Sequence, residues 1–152
     1  MADHIKIVAK NRKAHHDYHI EETFEAGVVL MGSEIKSIRA NKVSLREGFV
    51  QERDGEMWLM NVHIATYDEA GIFGHSDPLR PRKLLLHKRQ IDQLSSRTRE
   101  RGYTIVPTMI YLSKGRAKVE IAIARGKKQY DKRETIAKRD AERQIRRALK
   151  ER

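Results

Sequence analysis

Residues that could ligate a metal or move protons are present, but their spacing does not support such chemistry. His15, His16 and His19 lie close together. On an extended segment, however, His15 and His19 share one face while His16 turns to the other. RNA contact and an ordinary surface position are the readings that fit, with a metal site the least supported. Glu52, Asp54 and Glu56 flank an expected tight turn, where solvated carboxylates are the default. Ser95-Ser96 has no histidine within several residues. There is no cysteine, which removes thiolate nucleophiles, iron–sulfur ligation, thiolate zinc sites and disulfides together. Neither Gly-x4-Gly-Lys-Ser/Thr nor Gly-x-Gly-x-x-Gly after a strand occurs. The expectation is a protein that is not an enzyme and carries no cofactor and no metal.

What the side chains do support is electrostatic. The 152 residues hold 32 Lys and Arg against 21 Asp and Glu, a net +11. A polyanion is the natural partner, because each phosphate contact by Lys or Arg releases condensed counterions; an acidic membrane is the weaker alternative. The charge is uneven: residues 125–152 contain twelve Lys and Arg and five Asp and Glu, +7 of the +11. The apolar residues longer than Ala in this stretch are Tyr130, Ile136, Ile145 and Leu149. They are too few to offset roughly 1–2 kcal/mol of backbone entropy per ordered residue. Residues 125–152 are therefore expected to be a basic tail, disordered when free.

A helix is available to that tail once bound. No Gly or Pro occurs from Asp131 to Arg152. At about 100° per residue, Ala137, Ala141, Ile145, Ala148 and Leu149 fall on one side. Lys132, Arg139, Arg143, Arg146, Arg147 and Lys150 fall roughly opposite. The apolar stripe is mostly alanine, which suits lipid poorly, whereas a row of cations suits a phosphate backbone. A protein groove and a plain solvated helix stay open as alternatives.

Residues 1–124 read as one folded domain, mainly β. A polar arm including Asn11, Arg12 and Lys13 is expected to lead into a strand at about Tyr18–Phe24. Gly27–Met31 suggests a short strand buried on both faces. Glu34, Ile35, Ile38 and Val43 suggest a short helix capped by Ser33. Phe49–Arg53 and Glu56–Ile64 around Asp54-Gly55 read as a hairpin. Residues 66–82 read as a long loop, and Leu84–Arg101 as a helix with Leu84, Ile91, Leu94 and Thr98 inward and Gly102 as its stop. Tyr103–Leu112 and Ala117–Arg125 form a second hairpin. These elements suggest a small closed antiparallel barrel of the oligonucleotide-binding type, with one or two short helices. No apolar run approaches the roughly 18 residues of a membrane span, and the start lacks the marks of a secretory signal. With cysteine absent, a cytoplasmic protein is expected.

Three segments are more specific. They are Phe24-Glu25-Ala26-Gly27 continuing through Gly32-Ser33-Glu34-Ile35-Lys36-Ser37-Ile38-Arg39; Arg82-Lys83-Leu84-Leu85-Leu86-His87; and Ala124-Arg125-Gly126-Lys127-Lys128-Gln129-Tyr130-Asp131-Lys132-Arg133-Glu134-Thr135-Ile136, followed by Lys138-Arg139-Asp140. In this order and spacing they closely resemble the SsrA-binding protein family, also called small protein B, from about Asn11 to the C-terminus. The resemblance implies an adaptor that grips the tRNA-like end of transfer-messenger RNA and serves trans-translation, the rescue of stalled ribosomes. It implies a tail that becomes helical in the empty messenger channel of the 70S ribosome, against small-subunit RNA at the decoding centre. Elongation factor Tu would be an indirect partner through the charged RNA, no membrane would be involved, and the adaptor would be a monomer.

Carried over by position, the resemblance implies RNA contacts at Glu25, Leu85 and His87, with Lys36, Ser37 and Arg39 beside them. Arg12, Lys13, Glu34 and Lys83 complete the expected body set. Glu25 would accept hydrogen bonds from base or sugar donors, or else simply pair with a nearby Lys or Arg. Leu85 and His87 would offer an apolar surface and a ring to an unstacked base, or Leu85 would belong to the core. In the tail, Gly126 would free the chain's exit. Lys127, Lys128, Asp131, Lys132, Arg133, Lys138, Arg139 and Arg143 would serve ribosome binding, and Tyr130 would stack on a decoding-centre base. His15 stands where family members often carry Arg, and His87 where some carry Asn. The alternatives are a general basic RNA-binding or ribosome-associated protein of the same fold, and an RNA enzyme without a visible catalytic constellation.

Overall fold

The structure is a computed structural model that describes residues 5–66, 77–127 and 143–145. Its strands are β1 (Ile5–Lys10), β2 (Tyr18–Val28), β3 (Val43–Ser44), β4 (Phe49–Arg53), β5 (Glu56–Met60), β6 (His63–Ile64), β7 (Arg82–Leu85), β8 (Tyr103–Ser113) and β9 (Arg116–Gly126). Its helices are α1 (Arg12–Asp17), α2 (Gly32–Arg39) and α3 (Lys88–Thr98). The main sheet is antiparallel in the order β1, β8, β4, β5, β7, β2, β9, and β9 also pairs with β8; β3 and β6 form a separate pair.

Both expected hairpins are present. Asp54 and Gly55 have φ of 53° and 77°, and Lys114 and Gly115 have 51° and 77°. Two successive positive φ values give the turn that follows the natural twist of paired strands. The β8–β9 register runs from Tyr103↔Arg125 to Ser113↔Arg116, so this hairpin spans the sheet. Alternating residues of the strands turn inward: Phe24 and Ala26, Met57 and Leu59, Val119, Ile121 and Ile123. They pack with Ile38 of α2 and Leu94 of α3 into one buried cluster.

Several boundaries differ from expectation. The amino-terminal arm is a strand and a helix: β1 pairs with the Met109–Ser113 half of β8, while Val50 of β4 pairs with Ile105 in the other half. Helix α1 forms because Asn11 caps it, its side-chain oxygen accepting from the Ala14 N–H at 3.0 Å. The buried Asn11 amide also donates to the Leu45 and Pro107 carbonyls at 3.0 and 2.9 Å, which fastens α1 to β8. Ala14 then packs on Val106 and Ala124 outside the main core, so the middle of β8 and β9 is buried on both faces. His15 and His16 consequently lie on a helix, both exposed, and not on an extended segment.

The Gly27–Met31 run is not a strand of its own. β2 continues through Gly27 and Val28, and Val29 and Met31 are exposed. Ser33 does not cap α2; Met31 occupies that position, its N–H donating to the Glu34 carboxylate at 2.8 Å. The β5 strand stops at Met60, where Asn61 takes a φ of 58°, and His63–Ile64 turns away to pair with β3. The largest shift is at Leu84–Arg101. Leu84 and Leu85 belong to β7, which pairs with β2 and β5, and α3 begins only at Lys88 after the Gln90 side chain accepts from the His87 N–H at 3.1 Å. Much of the expected 66–82 loop lies outside the described residues; β7 starts at its last position.

Candidate nucleic-acid interface

The pleat of β7 sorts adjacent residues to opposite sides. Arg82 and Leu84 are fully buried, while Lys83 is half-buried and Leu85 is 54% exposed. The core place that was open for Leu85 is taken by Leu84. Across the ladder Leu85 faces Gly27, where an added Cβ would sit 3.2 Å from the Leu85 Cβ. The glycine leaves the leucine its seat on the surface. Around it runs an open groove lined by Glu25, Glu56, Lys83, Leu85, His87 and Lys118, among others. Glu25, Lys83, Leu85 and His87, four residues expected to meet RNA, thus come together from β2, β7 and the start of α3.

The groove mixes charges within a basic protein. Lys83 Nζ is 3.8 Å from Glu56 Oε1, and Lys118 Nζ is 3.9 Å from Glu25 Oε1. The other Glu25 oxygen accepts a hydrogen bond from the Tyr111 hydroxyl. Glu25 thus has a lysine neighbour, and its side chain is 59% exposed. An exposed apolar side chain beside an imidazole and a carboxylate offers an unstacked nucleotide a face contact and a hydrogen-bond acceptor.

Two of the expected contact residues are corrected. Glu34 and Ser37 have no exposed surface. The Ser37 hydroxyl donates to the Ala65 carbonyl at 2.7 Å, and the Glu34 oxygens accept from Arg80 Nη2 and Arg82 Nε, both at 2.5 Å. Arg82 also donates to the Val62 and Pro78 carbonyls at 2.7 and 3.1 Å. This buried cluster ties α2 to the start of β7 and so positions Lys36 and Arg39, both exposed on α2, relative to the groove. The signal was available: strand alternation puts Arg82 on the face of Leu84, and an inward arginine requires a carboxylate. Burial alone pushes the Glu34 carboxyl up, but hydrogen bonds from Arg80, the Met31 N–H and Arg82 outweigh it and hold the group below the usual carboxylate range.

Arg12 and Lys13 are exposed on α1, Lys13 donating to Glu47 at 2.8 Å. With Lys10 and Arg46 they line a second hollow that shares no residue with the first. Sequence reasoning missed Lys118 and Gln90 at the groove and Tyr111 behind Glu25: strand register brings Lys118 and Tyr111 to β2, and Gln90 lines the groove from the first turn of α3.

The strand β9 continues two residues past Ala124. Arg125 pairs with His19 and Gly126 with Tyr18. Arg97 and Arg125 both lie over the Tyr103 ring, each 4.6 Å from its centroid, and both donate to Glu21, at 2.5 and 2.8 Å. Gly126 is thus a strand residue with open space around it. Lys127 is exposed, as is Arg143 within the short described helical piece 143–145. Lys128, Tyr130, Asp131, Lys132, Arg133, Lys138 and Arg139 lie outside the described residues. Among those described, no group of metal-ligating side chains gathers, and no helix is long and apolar enough to cross a membrane.

The family model for the SmpB protein matches residues 8–151. The chain belongs to the SmpB family. Its relatives in the family are close over nearly their whole length. The SsrA-binding protein of Chloroflexus aggregans is 61% identical over 150 residues, 99% of this chain and 95% of that one. That of Roseiflexus sp. (strain RS-1) is 59% identical over 147 residues, covering 97% and 93%. A chain solved under the description "tmRNA-SmpB: a journey to the center of the bacterial ribosome" is 46% identical, with a TM-score of 0.66 over 79% of this chain and 83% of that one. The SmpB match spans both the groove and the basic tail.

Proposed function

We propose that this protein binds transfer-messenger RNA, SsrA RNA, and delivers it to stalled 70S ribosomes for trans-translation. The observation that carries the reading is the groove that gathers Glu25, Lys83, Leu85 and His87 from separate elements, in a chain whose SmpB-family relatives bear the name SsrA-binding protein. Cations in such a surface supply affinity for any RNA, whereas a carboxylate selects for hydrogen-bond donors and against bare phosphate. Lys36 and Arg39 on α2, with Arg12 and Lys13 on α1, take the phosphates on either side. Glu34 and Ser37 act from beneath by fixing α2. The ladders β8–β4–β5–β7–β2–β9–β8 support reading the sheet as a closed antiparallel barrel of the oligonucleotide-binding type.

The tail is assigned to the ribosome. Gly126, Lys127, Lys128, Lys132, Arg133, Lys138, Arg139 and Arg143 meet small-subunit RNA at the decoding centre and along the messenger channel, with Asp131 among them, and Tyr130 stacks on a base there. The protein acts as a cytoplasmic, monomeric adaptor, not an enzyme, and meets elongation factor Tu only through the charged RNA. Competition binding tests the body's part. At fixed salt near 0.15 M, the isolated tRNA-like end should displace a labelled copy of itself at least about tenfold better than unstructured RNA of equal length. Ranking by charge alone would instead make the protein a general RNA binder.

A further inference from the structure

Tyr111 stands beneath Glu25, which among the described residues is the hydrogen-bond partner of its hydroxyl. The residue is 5% exposed, and its O–H donates to Glu25 Oε2. Strand register explains the meeting. Tyr111 lies opposite Lys118 on β9, Lys118 lies opposite Gly27 on β2, and Glu25 is two residues before Gly27 on the same face.

The local charges make this contact consequential. Glu25 lies directly across the ladder from Glu120, and like charges so placed repel. Each carboxylate has its own hydroxyl: Thr108 donates to Glu120 Oε2 at 2.6 Å, and Tyr111 donates to Glu25. Without the phenol, repulsion from Glu120 and attraction to Lys118 would set the Glu25 rotamer. With it, one oxygen is fixed. Among the described residues the other, Oε1, has only Lys118 near it, at 3.9 Å, beyond hydrogen-bond reach. Burial, followed by the hydrogen bond and charge of Glu25, pushes the Tyr111 hydroxyl above its ordinary pKa, so it stays a donor at neutral pH.

We infer that Tyr111 is a positioning residue for recognition: it clamps one oxygen of Glu25 so that the other faces the groove as an acceptor for an N–H or O–H of an unstacked RNA nucleotide. Lys118 beside that oxygen takes the adjoining phosphate. The inference rests on the proposed RNA-binding role of the groove and adds which residue makes the carboxylate selective.

A double-mutant cycle tests it, using the full chain and the tRNA-like end of transfer-messenger RNA as probe. Tyr111→Phe removes one oxygen and keeps the buried ring; Glu25→Gln keeps the shape and removes the charge. Tyr111→Phe should weaken binding about 5- to 20-fold, Glu25→Gln at least as much, and the double variant no more than the worse single one. Binding of unstructured RNA should be unchanged in all of them, which a general loss of structure would not produce. Wild-type affinity in Tyr111→Phe, or losses that multiply in the double variant, would overturn the inference. If Glu25→Gln itself binds normally, the assignment of this groove to RNA fails; if only Tyr111→Phe binds normally, that assignment stands and the clamp is wrong.

Discussion

Arg82→Met destabilises the protein by about 3–5 kcal/mol, because it strips a fully buried carboxylate of its innermost partner. The thioether fills much of the arginine's volume but cannot replace the donors to Glu34, Val62 and Pro78. Folded domains of this kind are stable by only about 5–15 kcal/mol, so the urea midpoint should fall steeply with little change in slope. Arg82→Met combined with Glu34→Leu should recover a large part of the loss, since no fully buried charge is then stranded and Arg80, whose side chain is 33% exposed, keeps access to water. The pH profile gives the sign independently. Glu34 is held below its usual range in the folded state. Its contribution is therefore complete above the unfolded carboxyl value of about 4.3 and disappears as pH falls through the lower folded value. The acid limb of the stability profile should be shallower in Arg82→Met than in the parent. An unchanged midpoint, or an unchanged acid limb, would show that the cluster does not hold α2 to β7.

A fragment ending at Gly126 binds the tRNA-like RNA nearly as well as the full chain but fails to support tagging on stalled ribosomes. The cut belongs after Gly126 and not after Ala124, because Arg125 closes the contacts with Tyr103 and Glu21 and is still paired in β9. What is removed, residues 127–152, carries eleven Lys and Arg against five acidic residues, a net +6. Near 0.15 M salt, where charges beyond about 8 Å are largely screened, its loss should cost the body less than about threefold in affinity. At low salt the cost should grow, with a shallower dependence of binding on salt. Tag addition in a reconstituted translation system stalled on a message without a stop codon should drop to background. Tagging by the fragment at the parent's level would remove the tail from the mechanism.

How much of this was legible beforehand depended on whether a signal was local. Asp54-Gly55 and Lys114-Gly115 announce their turns within two residues, and both hairpins follow from them. Leu84-Leu85-Leu86 carries no period, so the sequence places Leu84 and Leu85 at the start of the helix and Arg82 in the loop, and helix and strand differ there only through partners far along the chain. The α1 helix was missed because it buries one alanine; it stands on Asn11, whose amide reaches carbonyls 34 and 96 residues away. At the site, Glu25, Leu85 and His87 were named from motif resemblance, and the fold brings them to one groove. Glu34 and Ser37 sit in the same motif yet are buried, since a motif marks position along the chain and not the side to which a residue turns. Tyr111 and Lys118 had no local mark at all and depend on register.

On the proposed function, the groove makes this basic protein selective for one RNA fold. Co-purification of the full chain from bacterial cells, followed by sequencing of the bound RNA in the parent and in Glu25→Gln, tests it most directly. Transfer-messenger RNA should dominate with the parent, well beyond its cellular share, and lose that dominance with Glu25→Gln. Bound RNA that follows cellular abundance in both proteins would contradict it.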